Sequence, residues 1–158
     1  MSPLSLLALL LLVSPSFGDE ALGKKCLEAL NTHRRYRAQT FNVANMNELE
    51  YNLKLEGNLE EVMKTINCST RYQIWRETYD LYESSKLDNF GDDRDPNSPT
   101  TESFACLEND KCASKGYFYI FSKPIPNENV NNNNIIRGPA GSKCPSGRHG
   151  DKGLCVKG

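Results

Sequence analysis

The chain is poor in the residues on which most catalytic and metal sites are built. It holds two histidines, His33 and His149, and a single tryptophan, Trp75. No Gly-x-Ser-x-Gly elbow and no His-Glu-x-x-His pair occurs, which removes the common serine-hydrolase and zinc-protease layouts. The cysteines include no C-x2-C spacing, so a structural zinc site of the usual kind is not expected. Charge of either sign is nearly balanced, with a net of −1, and the basic residues are dispersed. Without a basic stripe to neutralise phosphates, nucleic-acid binding is not expected. Beyond residue 13 there is no long apolar run, so no membrane span is expected in the mature chain.

The chain begins with Leu4–Val13, nearly all leucine, followed by Ser14, Pro15 and small residues. As a helix this run rises only about 15 Å, too short for a hydrocarbon core of roughly 30 Å. A short apolar run ending near small residues reads as a secretory signal. Ser16 and Gly18 fit the small positions before a cut, which places cleavage after Gly18. Export to an oxidising compartment agrees with the even cysteine set Cys26, Cys68, Cys106, Cys112, Cys144 and Cys155. Asn67-Cys68-Ser69 is an N-glycosylation sequon, making Asn67 the glycosylation candidate.

Helical spacing is expected over Leu22–Gln39, then a polar Asn-rich loop over Thr40–Asn47 and a short extended piece at Glu48–Tyr51. Asn52 is placed to cap a second helix, whose apolar face is Leu55, Leu59, Val62, Met63 and Ile66. A third helix is expected over Tyr72–Leu87, with Trp75, Tyr79 and Tyr82 on one face. Asp88–Thr101 reads as a solvated loop and Phe104–Lys115 as a clipped turn around Cys106 and Cys112. Tyr117–Phe121 is the strongest strand candidate, aromatic and β-branched with no polar alternation, hence covered on both faces. From Gly138 onward the tail has too few apolar residues for a core and needs a disulfide. The order of elements indicates α+β layers.

Four segments together resemble the CAP superfamily, the SCP domain of cysteine-rich secretory, antigen 5 and pathogenesis-related proteins. Leu30-Asn31-Thr32-His33-Arg34-Arg35-Tyr36-Arg37 is similar to its first-helix motif. Asn45–Leu55 is similar to the next motif, with Tyr51 where Trp is usual. Tyr119–Asn129 resembles the last core strand and its loop, with Ser122 where Cys is usual. Gly138–Gly147 with Gly153-Leu154-Cys155 resembles the small hinge after the domain. The resemblance implies a reduced α-β-α sandwich, helices flanking a small antiparallel sheet. It divides the chain into a signal peptide (1–18), a degenerate CAP domain (19–136) and a disulfide-clipped C-terminal hinge (137–158).

Intact CAP domains hold a cleft with two His and two Glu that can bind a divalent cation. Here the Gly-His-aromatic-Thr-Gln and Gly-Glu-Asn segments are absent, and Cys68-Ser69-Thr70-Arg71-Tyr72 contains no His. Glu77 matches the remaining family Glu, so Tyr72 and Glu77 are the residual cleft candidates. The resemblance therefore implies a secreted non-enzymatic protein without cofactor or metal, binding an extracellular protein or lipid-like ligand. Two alternatives stand beside it: a small disulfide-framed effector or toxin-like ligand unrelated to CAP proteins, and a cation-dependent hydrolase. Six cysteines allow many connectivities. The working expectation is Cys26–Cys68, Cys106–Cys112 and Cys144–Cys155. Amino-terminal sequencing of the protein released by a secreting cell is expected to begin at Asp19; retention of residues 1–18 would refute the leader.

Overall fold

The structure is a computed structural model that describes residues 20–66, 73–75, 79–84, 87, 98–112, 116–122 and 135–158. Its elements are α1 (Glu20–Thr40), β1 (Glu50–Tyr51), α2 (Leu53–Thr65), β2 (Gln73–Trp75), β3 (Tyr79–Ser84), β4 (Ser103–Glu108), β5 (Tyr117–Ser122), β6 (Arg148–Asp151) and β7 (Leu154–Lys157). Five strands form one sheet in the order β1-β4-β5-β3-β2, and β6 and β7 form a separate hairpin. The β1–β4 pair is parallel; β4–β5, β5–β3 and β3–β2 are antiparallel.

The pleat sorts side chains to two faces. Phe104, Cys106, Tyr119, Phe121 and Tyr82 turn to one face and pack with Cys26, Leu30 and Leu49. Ala105, Phe118, Ile120 and Leu81 turn to the other and pack with Leu55, Leu59 and Met63 of α2. The result is the expected α-β-α sandwich. Strand β5 lies in the middle of the sheet, and its Phe118, Tyr119, Ile120 and Phe121 are all buried, so it needs no polar alternation. Asn52 caps α2, its side chain accepting from the amides of Lys54 and Leu55. Ser122 donates its hydroxyl to the Ser103 carbonyl at 3.1 Å.

Three expectations are corrected. The segment read as a third helix contains the strands β2 and β3. Leu81 packs toward α2 while Tyr82 packs toward α1. A strand covered on both faces carries no period-2 signal, so aromatic spacing alone mimics a helical stripe. The clipped turn over Phe104–Lys115 begins as a full strand, β4, paired to β5 from Phe104 to Glu108. The pairing changes accordingly. Cys26 is bonded to Cys106, which excludes both Cys26–Cys68 and Cys106–Cys112. Helix α1 covers one face of the sheet and α2 the other, so Cys26 meets the cysteine of the strand beneath it rather than the end of α2. Cys112 is also in a disulfide, and Cys144 is bonded to Cys155.

The tail is more than a clipped loop. Leu154 and Cys155 of β7 are fully buried, and Leu154 packs with Ala38, Val43 and Met46. Backbone bonds run from the Cys155 amide to the Met46 carbonyl (2.8 Å) and from the Glu48 amide to the Cys155 carbonyl (3.0 Å). The hairpin is therefore an extension of the domain's own loop. Gly150 is required there, because a Cβ would lie 2.3 Å from the Gly141 carbonyl oxygen. Gly150→Ala is expected to cost about 1–3 kcal/mol through forced backbone displacement, and Leu59→Ala about 2–5 kcal/mol through a core cavity, both read from denaturant midpoints. Non-reducing peptide mapping should recover Cys26 with Cys106 and Cys144 with Cys155; any other partner for Cys26 refutes the layer assignment.

Candidate functional site

Helix α1 has two working sides. Its inner side carries Asn31 and Arg34, both buried. Asn31 makes a two-way bond with Leu49: its amide donates to the Leu49 carbonyl (3.0 Å) and its oxygen accepts from the Leu49 amide (2.9 Å). Arg34 reaches further. Its Nε donates to the Asn47 carbonyl at 2.9 Å, and one terminal nitrogen points at the carbonyls of Ser98 (3.1 Å), Pro99 (3.4 Å) and Thr101 (3.5 Å). The planar fork with its many donors suits this task. Burial, with the Arg148 guanidinium nearby, pushes the Arg34 pKa down to about 9. Arg148 itself is almost wholly buried and pairs with Glu102 at 3.3 Å. It also donates to the Cys155 carbonyl at 2.8 Å. These arginines are structural pins.

The outer side of α1 carries Lys25, Glu28, Ala29, Thr32, His33 and Tyr36, which with Leu87 line an open groove of about 760 Å³. His33 is half-buried there, while Tyr36 is exposed. The spacing Lys25, Glu28, Thr32, Tyr36 is a stripe along one helical face, and a large aromatic among polar residues was the signal available in the sequence. His149 is exposed on β6 and does not line this groove. Among the described residues no three His, Cys, Asp or Glu side chains converge to hold a metal ion. The residual cleft candidates Tyr72 and Glu77, the glycosylation candidate Asn67, and Cys68 lie outside the described residues. No described helix is long and apolar enough to cross a membrane.

Tyr51 packs against the first turn of α1 at Gly23. Its ring sits 3.2 Å from where a Cβ on Gly23 would be, stands edge-on to Phe104 at 5.5 Å, and its hydroxyl donates to the Cys106 carbonyl at 3.3 Å. Burial first, then Glu56, raises the Tyr51 pKa.

The architecture and the pinned first-helix motif define a class: this is the fold of the CAP, or SCP, proteins. No family model matches the sequence and no curated protein matches it, so the likeness lies in the fold. Among solved structures the chain is similar to hookworm platelet inhibitor, with 14% identity, TM-score 0.59, and 88% of this chain and 92% of that chain covered. It is similar to NaASP2, solved with Zn2+, at 17% identity and TM-score 0.59, covering 90% and 98%. The hookworm protein Na-ASP-1 matches at 15% identity and TM-score 0.57; 84% of this chain spans 46% of that longer one. The three-layer core argues against an effector of a different fold.

Arg34→Met is expected to lower stability by about 3 kcal/mol or more, because several buried carbonyls lose a charged donor at once and the loop they belong to loses its tie to α1. Lys24→Ala, which removes only an exposed pair with Glu20, should change it by less than about 0.5 kcal/mol. Equal denaturation midpoints for the two variants would refute the role given to Arg34.

Proposed function

We propose that the protein is exported, is not an enzyme, and acts outside the cell by binding a protein or lipid-like ligand, the cation site of intact CAP domains having been lost. The observation that carries this reading is the histidine inventory: two in the whole chain, one half-buried in the α1 groove and one exposed on the tail hairpin. A cation cleft of the family type needs two convergent histidines. Loss of the thiolate as a nucleophile supports the non-enzymatic reading, since no cysteine is free among the described residues. Disulfides also suit an oxidising extracellular setting. On this reading residues 1–18 are the leader, 19–136 the domain and 137–158 its C-terminal extension; Asn67 carries a glycan, and Tyr72 and Glu77 are remnants of the cleft.

Calorimetric titration of the oxidised protein with Zn2+ is expected to give no saturable site, and a screen of ester, peptide and phosphoester substrates no turnover. A one-to-one zinc site, or turnover abolished by a chelator, would overturn the reading in favour of a cation-dependent hydrolase. Native mass spectrometry after incubation with a long-chain fatty acid or cholesterol tests the lipid arm.

A further inference from the structure

Cys26–Cys106 and Cys144–Cys155 differ in how far solvent reaches them. Cys26 and Cys106 are buried, at 0% and 1% exposure, in the cluster that α1 makes with the sheet. Cys144 is partly exposed, and its neighbours Lys143 and Pro145 are exposed. Its partner Cys155 lies inside, at 0%. One end of the Cys144–Cys155 bond therefore meets solvent, whereas neither end of Cys26–Cys106 does. Thiol–disulfide exchange requires a thiolate to reach one sulfur of the bond, so access decides which bond opens first.

The accessible bond is also the one that fastens the tail. The Lys143 amide donates to the Ala44 carbonyl at 3.0 Å. The Cys155 amide donates to the Met46 carbonyl, and the Glu48 amide to the Cys155 carbonyl. The bond thus ties together two stretches of tail that both rest on residues 44–48. Of residues 135–158 only Leu154 and Cys155 are buried. Leu154 packs with Ala38, Val43 and Met46. The Lys157–Glu50 pair is half exposed on both sides and holds weakly. With the bond open, one apolar side chain, Arg148 and a short ladder are left to hold the hairpin, and the freed loop gains conformational entropy.

We propose that Cys144–Cys155 is a redox clasp: a low-molecular-weight thiol opens it while Cys26–Cys106 stays closed, and opening releases the tail hairpin from residues 44–48 without unfolding the α-β-α core. The thiolate of the reductant attacks Cys144 Sγ. A mixed disulfide forms there, and Cys155 leaves as a thiolate that takes up a proton. A second reductant thiolate then attacks the reductant's sulfur in the mixed disulfide and frees the Cys144 thiol. The reductant departs as its own disulfide, and two electrons have passed to the protein. Release uncovers Leu154 together with Val43 and Met46, apolar surface that the oxidised form keeps inside. Cys112 is disulfide-bonded and partly exposed as well, but it lies in the turn after β4, away from the tail ladder in sequence. The clasp stands independently of the ligand-binding reading above.

The test is graded reduction of the full oxidised protein with glutathione, quenched by alkylation and read by peptide mass spectrometry, with hydrogen exchange followed in parallel. Cys144 and Cys155 should become labelled about tenfold faster than Cys26 and Cys106. At that stage the Glu48 and Cys155 amides should lose protection while those of β5 keep theirs. Cys144→Ser with Cys155→Ser should show the same fast exchange with no thiol added. Glutathione should then leave its tail amides unchanged, which assigns the effect to this bond rather than to that of Cys112. Labelling of Cys26 and Cys106 as fast as Cys144 and Cys155 would overturn the proposal. So would a reduced tail whose Glu48 and Cys155 amides stay protected, or loss of β5 protection at the same moment, since the bond would then support the whole fold.

Discussion

The Arg34 guanidinium is the interaction on which the rest of the structure depends. It sits at the junction of α1, the loop around Asn47 and the Ser98–Thr101 turn, giving donors to three or more carbonyls that no helix or strand satisfies. A cation held this way by neutral acceptors is costly to bury, and the depressed pKa reflects that cost. It persists because removing it strips a donor from the Asn47 and Thr101 carbonyls and leaves those of Ser98 and Pro99 with only their backbone donors, the Thr101 and Asn47 amides. Asn31, one turn earlier on α1, secures the same loop at Leu49. The Asn and Arg of the first-helix motif thus have a physical meaning: they fasten the chain that leaves α1 back against α1.

Everything downstream uses that fastened loop. Residues 43–47 are buried although three of them are Ala44, Asn45 and Asn47, small or polar. Their amides and carbonyls serve as a ladder for the C-terminal segment, with the Asn45 side chain accepting from the Ile136 amide at 3.0 Å. The tail contributes Leu154 and Cys155 to the interior in return. Its hairpin is held by the Cys144–Cys155 disulfide and by Arg148, which spans from the Cys155 carbonyl to Glu102. An arginine pin in the domain and a second in the tail share one buried region, each offset by carbonyls or a partly exposed carboxylate.

This arrangement bears on function by separating two surfaces. The inner side of α1 is committed to structure, its Asn31 and Arg34 being buried and bonded to backbone groups. The outer side and the turn at Phe41 face solvent. Half-buried His33 lines the outer groove with exposed Tyr36, and the exposed Phe41 ring lies beside the Arg37 guanidinium.

Patterns local in the chain were legible from it. The α1 and α2 periods, the Asn52 cap and the buried strand β5 follow from side-chain spacing and from Asn's reach to its neighbours' amides, and the fold class follows from their order. What only the tertiary structure decided is what depends on which layer an element joins. Strand β3 has both faces covered, so its aromatics carry no alternating signature, and β4 is a strand because β1 and β5 flank it. Cys26 pairs with Cys106 across a helix–sheet interface, a relation between residues 80 apart that no local spacing encodes. The buried ends of Arg34 and Arg148 belong to the same category. Charged residues read from a sequence are presumed solvated, and only the convergence of distant carbonyls makes their burial possible.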